Sequence, residues 1–178
     1  MNIYKLELTT LQQGILSFLF LHAGASSTAN ALARHLEVSP AAISKALPAL
    51  KDRDLIIVQK DKESRRLAIQ MNRDNPRTKA LKRVENLRLV YASGLAQELD
   101  IPGATVILFG SFAFGEDTVT SDIDIAVIPA KRIPNLDKYE RILSRTINAQ
   151  QYASLREVHK DLRESICNGI VLRGGIAL

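Results

Sequence analysis

LFGSFAFGEDTVTSDIDIAVIP, residues 108–129, begins with the last residues of one apolar run and ends with a second, and a polar segment separates the two. The first run begins at Ala104 and ends at Phe109, and the second covers Asp122–Ile128. Apolar runs of this length, bounded by glycine and polar residues, predict two buried β-strands. A short helix is predicted over 112–114, directly after the first strand.

The second run carries two carboxylates, Asp122 and Asp124, on one face of its predicted strand. Residues i and i+2 of a strand point to the same side, so Ile123 and Ile125 face the opposite, buried side. Two carboxylates held this close repel each other unless a cation lies between them. Oxygen ligands suit magnesium, and we therefore predict a Mg²⁺ site at Asp122 and Asp124.

The turn between the first strand and the short helix offers a place for phosphate. Gly110 lets a ligand approach the backbone closely. Ser111 presents a hydroxyl and an N–H at the start of a helix, where phosphates are favoured. A phosphate site facing a magnesium-binding pair of acids indicates nucleotidyl transfer by metal-ion catalysis.

The complete pattern resembles the minimal nucleotidyltransferases of the polymerase beta superfamily, whose signature is a Gly-Ser pair followed by Asp-x-Asp on the next strand. Here the pair is Gly110-Ser111, and Asp122 and Asp124 begin eleven positions after Ser111. The resemblance extends over residues 78–173. It implies that Gly110 and Ser111 hold a nucleoside triphosphate such as ATP, and that the two catalytic aspartates bind two magnesium ions. A hydroxyl acceptor would attack the α-phosphorus, and pyrophosphate would leave.

The chain departs from this family's pattern at the third catalytic acid. Active members carry that acid on a later strand, and the matching run here, residues 147–152, has Asn148 at the corresponding position and Gln150 one same-face step on. An amide is a poor metal ligand and cannot act as a base. Phe114 also stands where many relatives carry an arginine. Two interpretations stay open: a transferase with an incomplete two-ion site, and a silent fold that senses nucleotides.

The rest of the second half alternates helices with strands, which favours an α/β layer. Helices are predicted over 77–99, 135–145 and 155–166. The apolar positions of the first helix step by three or four residues and predict its inward face: Leu81, Val84, Leu87, Tyr91, Leu95 and Leu99. The polar run 71–76 contains an Asn-Pro pair and is the best candidate for a linker.

The first 70 residues predict three helices and a β-hairpin. The helices cover 9–22, a segment capped by Ser27 or Thr28, and 40–52, and the hairpin strands are 55–58 and 67–69. Pro48 lies inside the third helix, where it removes a backbone hydrogen bond, so we expect a kink or an early end near Leu47. This order, with TANALARHLEVSPAAISKALPAL over residues 28–50, resembles winged helix-turn-helix transcriptional regulators.

These patterns together predict an α+β protein of two domains. Residues 1–72 form a winged helix-turn-helix DNA-binding domain. Residues 73–178 comprise a long linker helix and a small mixed-sheet nucleotidyltransferase α/β domain.

In a winged helix-turn-helix, the second helix of the pair enters the major groove and its early residues face the base edges. The candidate DNA-binding residues are Ser39, Ala42, Ser44 and Lys45 on this helix, with Lys62, Arg65 and Arg66 in the wing. The small side chains allow close approach but little bidentate base reading. The wing cations suit phosphates or the minor groove. The alternative is a solvated basic face on a winged helix that binds a protein.

Charge is divided between the two halves of the sequence. Residues 45–88 contain 13 Lys or Arg and six Asp or Glu, whereas residues 93–128 contain six acids and no Lys or Arg. The first stretch favours a polyanion such as duplex DNA, and the second favours cations. The single cysteine excludes an internal disulfide.

The leading function is therefore a DNA-binding transcriptional regulator that carries a Mg²⁺-dependent, nucleoside-triphosphate-binding nucleotidyltransferase domain. One rival is a protein adenylyltransferase, similar to the antitoxins that adenylylate small helical toxins, with the winged helix as a docking module and a protein hydroxyl as acceptor. A homodimer is compatible with either function. The apolar run 15–21 is too short to span a membrane and keeps helical spacing, so we expect a cytoplasmic protein.

Overall fold

The structure, a computed structural model, describes residues 8–60 and 67–175. The chain divides into two compact units, Met1–Lys79 and Ala80–Leu178. The domain boundary between residues 72 and 73 stays a prediction. No helix in the described parts of the chain is long and apolar enough to cross a bilayer.

The first unit contains three helices, each begun by a hydroxyl side chain. The helices are α1 (Thr10–Leu21), α2 (Ala29–His35) and α3 (Pro40–Asp52). The hydroxyls of Thr9, Thr28 and Ser39 accept hydrogen bonds from the backbone N–H three residues on. Such caps satisfy N–H groups that the start of a helix leaves unpaired.

A β-hairpin follows α3 directly. β1 (Ile56–Lys60) pairs antiparallel with β2 (Leu67–Met71). The two strands pack against the three helices, and the inward side chains Ile56 and Ile69 are 2% and 0% exposed. Three helices and a hairpin in this order form the predicted winged helix.

α3 covers Pro40–Asp52, the span predicted for it, and the expected early end near Leu47 is wrong, because the helix continues through Pro48. A proline inside a helix costs about 3 kcal/mol. Leu47 and Leu50 are buried on the inner side of the same turn, and each buried leucine stabilises by about 1.5–3 kcal/mol. Ser44, whose carbonyl the proline cannot bond, is exposed, so water can bind that carbonyl.

The second unit begins within α4, because the first four residues of this helix belong to the first unit. Its elements are α4 (Pro76–Ala92), α5 (Leu95–Glu98), β3 (Thr105–Phe109), α6 (Gly110–Phe114), β4 (Ile123–Ile128), α7 (Asp137–Leu143), β5 (Ile147–Gln151), α8 (Lys160–Cys167) and β6 (Ile170–Arg173). A 3-10 turn at Leu155–Glu157 precedes α8.

The single helix predicted over 77–99 is wrong, because the structure divides it into α4 and α5. Gly94 adopts a left-handed conformation with φ of +86°, which ends the first helix and begins the second. The predicted inward face of the helix is also wrong in part. Val84 and Tyr91 are 67% and 41% exposed, while Val90 is fully buried.

Two other helices are shorter than predicted. α7 ends at Leu143, where Ser144 takes a left-handed conformation with φ of +50°. The helix predicted over 155–166 is interrupted by Val158, which is extended and 5% exposed. Val158 packs into the core on the α8 side of the sheet and lies between the 3-10 turn and α8.

The four strands of the second unit form a mixed sheet in the order β5-β4-β3-β6. β3 pairs antiparallel with β4 and β6, and β4 pairs parallel with β5. On one face, Leu108 and Ile125 belong to the larger core of this unit. On the other face, Ile107 and Ala126 pack with Ile166 of α8. The predicted α+β class and mixed sheet are confirmed.

Candidate active site

The polypeptide turns sharply where β3 meets α6. Phe109, the last residue of β3, pairs with Asp124 of β4, and the next residue, Gly110, has φ of +71°. A Cβ atom at Gly110 would lie 2.5 Å from Oδ2 of Asp124. Both the left-handed backbone and this close approach require glycine. The Asp124 carboxylate is therefore held directly against the backbone at the start of α6.

The two aspartates differ in their surroundings. Asp124 is half-buried in β4, with Ile123 and Ile125 fully buried on the opposite face of the strand. Asp122 lies one residue before β4 and is exposed, so the strand begins one residue later than predicted. The Ile123 N–H donates to the Thr146 carbonyl at 2.8 Å, which fixes the backbone between the two carboxylates.

β5 brings an amide to Asp124. The parallel pairing of β4 and β5 sets Asn148 beside Asp124, and Nδ2 of Asn148 donates to Oδ1 of Asp124 at 3.1 Å. The structure thus places Asn148 next to Asp124, as the strand alternation predicts. An amide at this place is a neutral hydrogen-bond donor and supplies no negative charge.

Two polar side chains follow Asn148 along β5 and just beyond it. The hydroxyl of Tyr152 donates to Oε1 of Gln150. Burial, and then the negative charge of Asp124, raises the pKa of Tyr152 above its ordinary value of 10.0. Tyr152 is not among the predicted site residues, although it continues the two-residue alternation of Asn148 and Gln150.

Ser111 and Asp122 are joined by a loop with internal hydrogen bonds. The Ser111 carbonyl accepts from the Glu116 N–H at 2.9 Å. The Thr118 N–H donates to Oγ of Ser121 at 2.9 Å. These bonds set the path of the chain between the predicted phosphate-binding and metal-binding residues.

Three polar side chains that the sequence patterns do not single out are buried beside this loop. Nζ of Lys82 donates to Oδ1 of Asp117 at 2.6 Å and to Oδ1 of Asn86 at 3.2 Å. Nδ2 of Asn86 donates to the same Asp117 oxygen at 2.6 Å and to the Phe112 carbonyl at 2.8 Å. Lys82, Asn86 and Asp117 are 1%, 3% and 1% exposed. The signal in the sequence is the four-residue spacing of Lys82, Asn86 and Val90, which places them on one side of α4.

The donor set fits one divalent cation better than two. Asp122 and Asp124 supply carboxylate oxygens, which Mg²⁺ prefers, and the Asp124 carboxylate lies against the backbone at Gly110. Among the described residues, no group of three or more His, Cys, Asp or Glu side chains could hold a metal ion. The residues therefore fit a cation that shares its oxygen ligands with a triphosphate, and they provide no third carboxylate for a second cation.

The DNA-binding candidates of the first unit are placed on α3 and in the hairpin. Oγ of Ser39 accepts from the Ala42 N–H at 3.1 Å, and Oγ of Ser44 donates to the Pro40 carbonyl at 3.0 Å. Both hydroxyls are therefore engaged with the backbone, whereas Lys45 is exposed on the helix. The wing candidates Lys62, Arg65 and Arg66 lie outside the described residues.

Comparison with known families identifies the second unit. Residues 95–174 match the family described as polymerase beta, nucleotidyltransferase. This match contains the Gly110-Ser111 turn, both aspartates and β5. The predicted nucleotidyltransferase domain is therefore confirmed. The comparison with curated proteins finds no match.

Several solved structures show a likeness with low TM-scores, and two of them are described as a repressor and a transcriptional regulator. The adhesin competence repressor AdcR from Streptococcus pyogenes is 23% identical with a TM-score of 0.42, over 52% of this chain and 66% of that one. ZitR from Lactococcus lactis is 24% identical with a TM-score of 0.43, over 56% of this chain and 64% of that one. BldR from Sulfolobus solfataricus is 18% identical with a TM-score of 0.39, over 55% and 66%. This chain thus spans less than two thirds of their length, and the winged-helix assignment rests on its own helices and hairpin.

Proposed function

We propose that this chain, a winged helix followed by a polymerase beta-type nucleotidyltransferase domain, binds duplex DNA through its first unit and a magnesium–nucleoside triphosphate through its second. The packing of Gly110 against Asp124 is the observation that supports the proposed nucleotide binding. The Asp124 carboxylate fills the space where a Cβ of this left-handed glycine would lie, so it is held against the backbone that leads into Ser111. A cation bound to this carboxylate could share its coordination with phosphate oxygens at Ser111.

Each residue of the site has a separate role in this proposal. The backbone of Gly110 and the N–H and hydroxyl of Ser111 bind the phosphates of the triphosphate. Asp122 and Asp124 hold magnesium, which when bound neutralises phosphate charge and makes the α-phosphorus more reactive. An acceptor hydroxyl would attack the α-phosphorus on the side away from the leaving pyrophosphate.

Asn148 makes transfer slow in this proposal. A base beside Asp124 would take the proton of the attacking hydroxyl, and such help is typically a factor of about 10²–10⁴ in rate. Asn148 donates a hydrogen bond to Asp124 and has no basic atom. The isolated protein therefore binds ATP well and transfers its nucleotide slowly or not detectably, as a nucleotide sensor would.

The charge of residues 45–88 and the exposure of two of their lysines support the proposed binding of duplex DNA. Residues 45–88 carry 13 cationic and six acidic residues, and Lys45 and Lys60 are exposed on α3 and at the end of β1. The small residues at the start of α3 permit close approach to the groove. Phosphate contacts from the cations would supply most of the affinity.

The experiment that tests the transfer step is the substitution Asn148→Asp. We expect it to raise the rate at which labelled ATP yields a labelled product in the presence of magnesium and cell lysate. The added carboxylate can act as a base and as a ligand next to Asp124. The matched control is Asn168→Asp, which adds the same charge at an exposed residue after α8.

Two outcomes would change this account of transfer. Fast transfer by the wild-type protein would mean that another residue or a partner protein supplies the missing acid. An unchanged rate in Asn148→Asp, with ATP binding intact, would mean that the domain serves binding alone.

A further inference from the structure

The proposed triphosphate site carries two carboxylates, Asp122 and Asp124, and its own stretch of sequence supplies no cation. Residues 93–128 contain six acids and no Lys or Arg, and both site aspartates lie in this stretch. A nucleoside triphosphate is a polyanion, and one Mg²⁺ neutralises only part of its charge. Tight binding therefore calls for a cation from another part of the chain.

Arg83 on α4 is placed to supply that cation. Its guanidinium carbon lies 5.8 Å from the centroid of the Phe114 ring, within the range of a cation–π contact. Phe114 follows Ser111 by three residues on α6, and residues at this spacing share a helix face. Arg83 is exposed, so its N–H donors can meet an incoming ligand next to the face that carries Ser111.

The buried polar network fixes α4 in front of α6. Lys82, the neighbour of Arg83, bonds to Asp117, and Asn86 bonds to the Phe112 carbonyl within α6 itself. Because these groups are almost fully buried, water does not compete for their hydrogen bonds. Arg83 therefore lies on a helix that the buried network bonds to α6, and its guanidinium lies 5.8 Å from the Phe114 ring of the same short helix.

We propose that Arg83 binds a terminal phosphate of the nucleoside triphosphate and that Phe114 positions its guanidinium for this contact. The proposal rests on the proposed function, because it concerns the ligand of the same site. Arginine and phosphate form bidentate, charge-assisted hydrogen bonds. Arg83 thus makes the site selective for nucleotides that carry β- and γ-phosphates over the nucleoside monophosphate.

The test compares the affinities of the full chain for ATP and AMP, measured by titration calorimetry with magnesium. Arg83→Gln should weaken ATP binding by about tenfold or more, as expected for loss of a hydrogen bond to a charged group. It should leave AMP affinity unchanged. The matched control is Arg88→Gln on the same helix, where the arginine is 58% exposed and pairs with Glu85. This control should leave both affinities unchanged.

Two substitutions of Phe114 test its role in positioning the Arg83 guanidinium. Phe114→Leu removes the aromatic face and should weaken ATP binding without changing AMP binding, and Phe114→Tyr, which keeps that face, should preserve both affinities. A general structural defect would weaken ATP and AMP alike.

Three results would overturn the role of Arg83. If Arg83→Gln and Arg88→Gln bind ATP with equal affinity, Arg83 does not bind the terminal phosphate, and the proposed function is unaffected. An equal loss for ATP and AMP in Arg83→Gln excludes selectivity for the terminal phosphates. A wild-type chain that binds neither nucleotide overturns the proposed function, and the role of Arg83 with it.

Discussion

At Gly110, the backbone conformation determines where the Asp124 carboxylate lies. The left-handed φ of Gly110 turns the chain out of β3, and the absent side chain makes room for the Asp124 carboxylate. Any larger residue would have to displace that carboxylate, since its Cβ would lie 2.5 Å from Oδ2. Glycine is therefore needed here both for the turn and for the site.

The Lys82–Asp117 pair gives a prediction at the scale of single residues. Removing one partner of a buried ion pair leaves an uncompensated charge, at a cost of about 3–5 kcal/mol. We expect Asp117→Ala to lower the free energy of unfolding by about that amount, as measured by urea denaturation.

The double variant Lys82→Met with Asp117→Leu separates the cost of the orphaned charge from the loss of packing. Apolar replacement of both partners of a buried pair is often neutral or stabilising. The double variant should therefore be more stable than Asp117→Ala. If the double variant is less stable than the single one, the pair itself, and not the unpaired lysine, supplies the stability.

Some site residues could be predicted from the sequence and others could not. Gly110, Ser111 and the aspartates follow from a local spacing, and Asn148 follows from strand alternation. Lys82 and Asp117 are charged types that are seldom buried, so composition places them on the surface. Only the three-dimensional pairing, across a separation of 35 residues, shows that each neutralises the other.

At the scale of elements, α4 illustrates the limit of hydrophobic periodicity. The spacing of apolar residues predicts that Val84 and Tyr91 face the core. In the structure, the buried side of α4 carries Lys82, Asn86 and Val90 instead. The buried polar network outweighs the apolar stripe. The break at Gly94 is missed for a related reason, because the apolar spacing continues across it.

The hairpin was predictable because its signal is local. Two apolar runs around a polar loop are sufficient to predict β1 and β2, and the hydroxyl caps at Thr28 and Ser39 follow from single residues. The predicted span 40–52 matches α3, but the sequence alone does not decide whether the helix ends early at Pro48, since that depends on how well Leu50 is buried by the rest of the unit.

The wing gives a prediction at the scale of an element. Replacing Arg65 and Arg66 with Ala should weaken binding to duplex DNA and flatten the log–log dependence of the affinity on salt. Each lost phosphate contact reduces that slope by nearly one unit, so the change should be at most about two units. Fluorescence anisotropy of a labelled duplex over a range of salt concentrations measures both quantities.

The control for the wing has the same change in charge at a distant place in the sequence. Arg141→Ala with Arg156→Ala removes two exposed arginines from the second unit. If this control flattens the slope as much as the wing variant, or if DNA binding does not depend on salt, the wing is not a phosphate-binding element.

At the scale of the whole molecule, the chain separates two kinds of charge along its sequence. The cationic stretch 45–88 lies largely in the winged-helix unit, and the acidic stretch 93–128 contains the nucleotide site. Each stretch suits a different partner, a polyanion for the first and a metal-bound nucleotide for the second. The central claim is that the second of these sites binds ATP only together with magnesium, through Asp122 and Asp124.

The most direct test is titration calorimetry of the full chain with ATP, with and without magnesium. The site variant is Asp122→Asn with Asp124→Asn. The control is Asp52→Asn with Asp161→Asn, which changes the net charge equally at two exposed residues outside the site. We predict magnesium-dependent ATP binding in the wild type and in the control, and loss of the magnesium dependence in the site variant. A site variant that keeps the magnesium-dependent ATP affinity of the wild type would contradict the claim.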